Sequence, residues 1–199
     1  MIIDKTYFVD KLNIPNLDLD ENSDLISANS NLDNVIARYS FKYFPDAFGY
    51  FTAKQILAVI KPNGQIYSGT EQKYIDLING KESEEWLGLR YEINNIKYSQ
   101  IANFCYCQYT KEYETRLTEM GNTLDEGEKS LVVSSWSKFN ASWREMMDMR
   151  QPCFGSYVDD WHYGNKVRDF KTLYDYIRSS DDWDANKFVY YENTNSLGL

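Results

Sequence analysis

One apolar stripe constrains the fold of this chain more than any other feature. Within residues 130–150, large apolar side chains recur at alternating steps of four and three residues, namely Val132, Trp136, Phe139, Trp143 and Met146. This spacing places them on one side of an α-helix. The stripe therefore predicts a long amphipathic helix from about Ser130 to Arg150, which Pro152 ends.

Similar spacing predicts further helices along the chain. One begins near Ser30 and Asp33 and is ended or kinked by Pro45. Others cover about 50–61, about 98–113 and about 166–179, the last with Val167, Phe170, Tyr174 and Ile177 on its inner face. Ser68 and Glu71 indicate a capping box for another helix, which Gly80 ends.

The segments between these helices are polar or rich in turn-forming residues. Residues 81–96 contain a short alternating piece that suggests a small hairpin. Residues 16–31 are polar and acidic, which is typical of a loop or mobile arm. No regular alternation of strands and helices is seen, so we expect a mainly α fold: a bundle of five or six helices with a small β element and extended terminal or loop arms.

We expect two parts in the chain. Residues 1–150 would form the helical core with the arm at 16–31, and residues 151–199 would form a C-terminal helix and extended tail that packs on the core or on a neighbouring subunit. The N-terminus lacks the pattern of a signal peptide, and no apolar run is long enough to span a membrane. We therefore expect free thiols in a reducing compartment and no membrane partner.

Two cysteines stand two residues apart in the stretch ANFCYCQY. On a helix, residues two apart point about 200° away from each other. Cys105 is thus expected to face the core and Cys107 a flank, with Cys153 as the third thiol of the chain. A metal site needs converging thiolates, so we favour buried, unligated cysteines.

Two groups of residues could carry chemistry. Asp159, Asp160 and His162 could hold a catalytic cation for hydrolysis, although a polar turn is the simpler interpretation. Glu84 and Glu85 could act as an acid/base pair, although adjacent acids in a polar loop are usually solvated. Signatures of nucleotide, zinc-protease and α/β-hydrolase sites are absent from the sequence. We therefore predict no catalytic, metal or cofactor-binding residues and no enzymatic activity.

Charge and aromatic content favour contacts with proteins over adhesion to nucleic acid. The net charge is −9, and binding to phosphates is driven largely by Lys and Arg. The chain has 17 Tyr and 5 Trp, which suit protein interfaces as well as cores. Acidic residues cluster at three places, for which plain solubility is the simpler interpretation and a channel lining that repels DNA is the functional one. The clusters are Asp18, Asp20, Glu21 and Asp24; Asp125, Glu126 and Glu128; Asp181, Asp182 and Asp184.

Five stretches, in this order, resemble the helical head-to-tail connector (adaptor) proteins of tailed bacteriophages, particularly phages of Bacteroides-like hosts. In the first stretch, Phe48-Gly49-Tyr50 is similar to the family's elbow after its opening helix. The cysteines stand where Tyr or Val is usual in the family, and QPCFGSYVDDWHYGN has no family counterpart. The five stretches are LDNVIARYSFKYFPDAFGYFTAKQI, YIDLINGKESEEWLGLRYEI, SQIANFCYCQY, VVSSWSKFNASWREMM, and FKTLYDYIRSSDDWDANKF with the terminal NTNSLGL.

The resemblance implies a structural virion protein of the phage neck, made in the host cytoplasm. It would form a homo-oligomeric ring, commonly of twelve copies, that joins the portal protein to the next tail component. Double-stranded DNA would pass through its channel without specific binding during packaging and ejection. Two alternatives stay open: a metal-dependent hydrolase that uses Asp159, Asp160 and His162, and a soluble protein-binding module.

Overall fold

The fold is mainly helical, as expected. The computed structural model describes residues 2–14, 26–113, 115–118, 121–124, 135–151 and 170–189. Among them are five α-helices, the first of which contains a break, and four short 3₁₀ helices. The α-helices are α1 (Ile26–Ala58), α2 (Gln72–Asn79), α3 (Gln100–Tyr113), α4 (Ser135–Arg150) and α5 (Leu173–Ser179).

The small β element consists of two antiparallel hairpins in the described residues. Strands β1 (Arg90–Ile93) and β2 (Ile96–Ser99) pair with Ile93 opposite Ile96. The turn residues Asn94 and Asn95 have φ values of 53° and 63°, a conformation that Asn tolerates better than most residues. Strands β3 (Thr115–Thr118) and β4 (Gly121–Leu124) form a second hairpin that the sequence pattern did not predict.

Helix α1 breaks at Gly49 and not at Pro45. Gly49 has φ 72° and ψ 163°, a region that is essentially restricted to glycine, whereas Pro45 lies inside the helix. The sequence predicts that Pro45 ends or kinks the helix, and the first of these is wrong because the helix continues through it. The predicted second helix corresponds to residues 50–58. With α1 divided at Gly49, the described residues contain six α-helical segments.

The start of α1 also differs from the prediction. The helix begins at Ile26, so residues 26–31 are helical, although we expected a polar arm there. Residues 16–25 of that arm lie outside the described residues. The N-terminal residues 2–14 contribute Ile3, Phe8 and Ile14 to the hydrophobic core.

Helix α3 is central because it packs against both α1 and α4. All side chains from Ile101 to Cys107 are buried, including the polar Asn103. Cys105 lies in the core as predicted, but Cys107 is also completely buried, so its placement on a flank was wrong. The cause is the second packing surface, since Cys107 Sγ lies 3.7 Å from the carbonyl oxygen of Phe139 in α4.

Helix α2 ends as predicted but begins differently. Its N-cap is Glu71, whose side chain makes no capping hydrogen bond, so the predicted capping box is wrong. Gly80 ends the helix with φ 96°. A Cβ atom on Gly80 would lie 2.5 Å from the carbonyl oxygen of Leu87, so this close backbone approach also requires glycine.

Helix α5 is shorter than predicted. Its N-cap is Thr172, whose side-chain oxygen accepts a 3.2 Å hydrogen bond from the backbone of Asp175. Phe170 therefore lies before the helix and is exposed, which corrects its placement on the inner face. Tyr176 and Ile177 of α5 join the same hydrophobic core as α1 and α3. The division of the chain at residue 150 stays a prediction.

Candidate interaction surfaces

The break at Gly49 produces an exposed aromatic pair, which we call the aromatic knob: Tyr50 and Phe51. Tyr50 is 67% exposed and Phe51 is 82% exposed. Their rings contact each other edge to face, with centroids 5.7 Å apart. The two rings in contact form a contiguous exposed apolar patch, and such patches are a feature of protein–protein contact sites.

A buried arginine fixes the backbone beside the knob. Arg150, at the C-terminal end of α4, is fully buried and donates through Nη2 to the carbonyl oxygens of Asp46 and Val189, at 2.7 and 2.8 Å. Its guanidinium also lies over the rings of Tyr43 and Phe188. Arg150 therefore connects α4 to the segment 185–189 and to the part of α1 that precedes the knob.

The segment 185–189 packs closely on the break itself. Val189 donates a backbone hydrogen bond of 3.0 Å to the carbonyl oxygen of Ala47. A Cβ atom on Gly49 would lie 3.7 Å from the carbonyl oxygen of Lys187. The position of the knob is thus set by contacts between distant parts of the sequence.

A small cleft adjoins the second part of α1. It has a volume of about 170 Å³ and lies between Thr52, Gln55 and the turn containing Trp183. Both signs of charge line it, with Lys73 and Lys187 beside Asp182 and Asp184. The balanced charge gives no preference for a charged ligand.

A second cleft, which we call the hairpin cleft, is larger and mainly apolar. It has a volume of about 220 Å³ and lies among the β1–β2 hairpin, α4 and the chain before α5. Ile93 and Phe170 are each 43% exposed on it. Its charged lining residues are Glu145 and Lys171. The remaining lining residues are Trp86, Leu87, Gly88, Tyr91, Tyr98, Gln100 and Met149.

Cys105 and Cys107 are unreactive at neutral pH. Burial raises the pKa of the Cys105 thiol far above its ordinary value, and it raises the pKa of Cys107 to about 12. Both thiols are therefore protonated at neutral pH, whereas the thiolate is the form that binds metals and attacks substrates. Cys153 lies outside the described residues.

The other candidates for chemistry do not come together in the described part of the chain. Glu84 forms an ion pair with Lys81, and Glu85 is exposed. Asp159, Asp160 and His162, the residues of the hydrolase alternative, lie outside the described residues. Within the described ranges, no group of three or more His, Cys, Asp or Glu side chains is placed to hold a metal ion.

Of the three acidic clusters, the structure describes one. The residues at 18–24 and at 125–128 lie outside the described ranges. Asp181, Asp182 and Asp184 are described, and all three are exposed. They lie in the turn that follows α5, beside the small cleft.

Sequence reasoning missed both the knob and the hairpin cleft as surfaces. The predicted helix at 50–61 included Phe51 but gave no sign that the side chain is exposed. An aromatic directly after a glycine that breaks a helix was the available signal. The hairpin cleft joins residues as distant as 88, 149 and 170, so no local pattern reveals it.

Comparisons with protein-family models, with curated proteins and with solved structures found no match for this chain. Among the described residues, no helix combines the length and the apolar character needed to cross a bilayer.

Proposed function

We propose that this chain is a structural protein of the neck of a tailed bacteriophage. Its copies form a ring, of twelve in the commonest arrangement, that joins the portal to the next tail component and continues the DNA channel. The protein is made in the host cytoplasm and functions in the virion. It acts through protein contacts and not through catalysis.

The observation that carries this proposal is the aromatic knob at the break in α1. The resemblance to connector proteins implies an elbow at Phe48-Gly49-Tyr50, and α1 breaks at Gly49. Directly after the break, the side chains of Tyr50 and Phe51 are exposed. An exposed aromatic pair whose backbone is held by hydrogen bonds suits a subunit that is completed by its neighbours.

Charge supports the same proposal. The chain carries a net charge of −9, and the described acidic cluster at 181–184 is exposed. A chain with this net negative charge has little attraction for the phosphate backbone and does not retain DNA. A ring subunit through which a duplex must slide needs this property.

The test is assembly with the portal protein encoded by the same phage. Purified chain and portal, mixed and imaged by electron microscopy, should show an added ring below the portal, and native mass spectrometry should give its copy number. The protein should also be present in purified virions. A chain that forms no ring with the portal and is absent from virions contradicts the proposal.

The same preparations separate the alternatives. A protein-binding module would bind a host protein and be missing from virions. A hydrolase would show cation-dependent activity that His162→Ala abolishes and that calorimetric metal binding accompanies. Either result would replace the neck proposal.

A further inference from the structure

The aromatic knob is an exposed apolar surface and the hairpin cleft is a concave apolar surface on the same chain. Phe51 is the most exposed of the large hydrophobic residues described, at 82%. The hairpin cleft is concave, mainly apolar and has a volume of about 220 Å³. A cavity of about 150 Å³ is enough to bind benzene in another protein, so the cleft has room for a phenyl ring.

The knob of one chain does not fill the cleft of that chain. The residues that line the cleft come from segments 86–100, 145–149 and 170–171, and no residue of α1 is among them. The knob instead lies beside the segment 185–189, on which α1 packs at Ala47 and Gly49. A second copy of the chain can therefore supply the aromatic side chain that the cleft accommodates.

Charges beside the two surfaces are complementary. Lys54 is exposed and lies three residues after Phe51, which places it on the same face of the helix. Glu145 lines the hairpin cleft. The other charged lining residue, Lys171, donates through Nζ to the Ser179 hydroxyl at 3.0 Å, so its ammonium group is directed towards α5.

We propose that the aromatic knob of one copy enters the hairpin cleft of a second copy, with Lys54 placed against Glu145. The contact joins two different surfaces. In a pair, the copy that supplies the knob therefore retains a free cleft, and the other copy retains a free knob. Contacts of this type continue from copy to copy and close into a ring when the rotation allows. This inference rests on the proposed function, since it names the contact between neighbouring subunits of the ring.

A mixing experiment tests the contact. Phe51→Asp disrupts the knob by replacing its more exposed ring with a charge and keeps the cleft, whereas Ile93→Asp damages the cleft and keeps the knob. Native mass spectrometry should show each variant alone as a single chain. Their equimolar mixture should form pairs of chains and stop there, because only one intact knob meets one intact cleft.

Matched variants distinguish loss of the contact from loss of folding. Phe41→Asp changes another exposed aromatic of α1, 62% exposed, and should assemble like the unaltered chain. Phe170→Asp damages the cleft at a second position and should behave like Ile93→Asp. Phe51→Ala should weaken self-association at least roughly tenfold, as expected for an aromatic anchor.

A charge exchange tests the pairing of Lys54 with Glu145. Lys54→Glu should weaken self-association, and Lys54→Glu combined with Glu145→Lys should restore it. A carbodiimide, which joins an amine directly to a carboxylate, should link these two residues between isotopically labelled and unlabelled copies. Links confined to single chains, or no link between these residues, overturn the inference.

The outcomes separate this inference from the proposed function. If rings form on the portal and Phe51→Asp and Ile93→Asp assemble unchanged, the inference fails and the neck function stands. If the unaltered chain forms neither homo-oligomers nor a ring on the portal, both fail. Pairs in the mixture, together with single chains for each variant alone, support both.

Discussion

Arg150 donates a hydrogen bond from Nη2 to the carbonyl oxygen of Val189 at 2.8 Å, although the two residues are 39 positions apart. The same nitrogen donates to Asp46 at 2.7 Å. A buried arginine is costly unless its hydrogen bonds are made, so these contacts fix the chain at the break in α1. Arg150, which is itself fully buried, thus holds the backbone that carries the aromatic knob.

Replacing Arg150 with Met should destabilise the protein by roughly 2–4 kcal/mol, because the carbonyl groups of Asp46 and Val189 lose their charged donor. Urea unfolding followed by circular dichroism measures this free energy. Arg144 on the same helix is exposed, so Arg144→Met should change stability by less than about 0.5 kcal/mol. Equal effects of the two substitutions would contradict the role given to Arg150.

The helices could be predicted from the sequence because their apolar spacing is local information. Phe139 and Met146 of α4 and Ile177 of α5 are buried as their spacing predicts. Cys107 could not be placed by the same reasoning. Its burial depends on α4 packing on a second side of α3, and a single helix pattern does not reveal how many neighbours the helix has.

The position of the helix break also required tertiary information. Pro45 and Gly49 both disfavour a helix, and local preference does not decide between them. The structure breaks at Gly49, where Lys187 and Val189 pack against the backbone. The exposure of the knob follows from the break at Gly49. The helices could therefore be predicted from the sequence, whereas the candidate surfaces could not.

Gly49→Ala should destabilise the protein by about 1–3 kcal/mol, since Gly49 has a backbone conformation that side chains disfavour. Pro45→Ala should not destabilise it, because Pro45 lies within the helix and does not make the break. Thermal unfolding of the two variants makes the comparison. A larger loss for Pro45→Ala than for Gly49→Ala would place the break at the proline.

Gly80 and Gly88 should be far less tolerant of alanine than Gly69. All three have positive φ, but a Cβ on Gly88 would lie 2.6 Å from the nitrogen of Gly80, whereas a Cβ on Gly69 meets nothing within 4 Å. Gly69→Ala therefore incurs only backbone strain, about 1 kcal/mol. Gly88→Ala adds a clash between backbones that cannot shift cheaply.

Denaturant midpoints of the Gly69→Ala and Gly88→Ala variants measure the difference. We expect Gly88→Ala to lose at least about 2 kcal/mol more than Gly69→Ala. Gly80→Ala should resemble Gly88→Ala, since its Cβ would meet the backbone of Leu87. Similar losses of unfolding free energy for all three variants would mean that backbone strain alone, and not the clash, sets the cost of alanine.

Alkaline pH should destabilise the fold through its buried thiols. Burial raises the pKa of Cys107 from 9.0 to about 12, so the folded state holds this proton more tightly than the unfolded chain does. The stability contribution is complete below pH 9.0 and is lost as the pH rises through about 12. Urea unfolding at a series of pH values should therefore show a falling free energy of unfolding across this range. Cys107→Ala should flatten that fall, and an unchanged slope would show that Cys107 does not carry it.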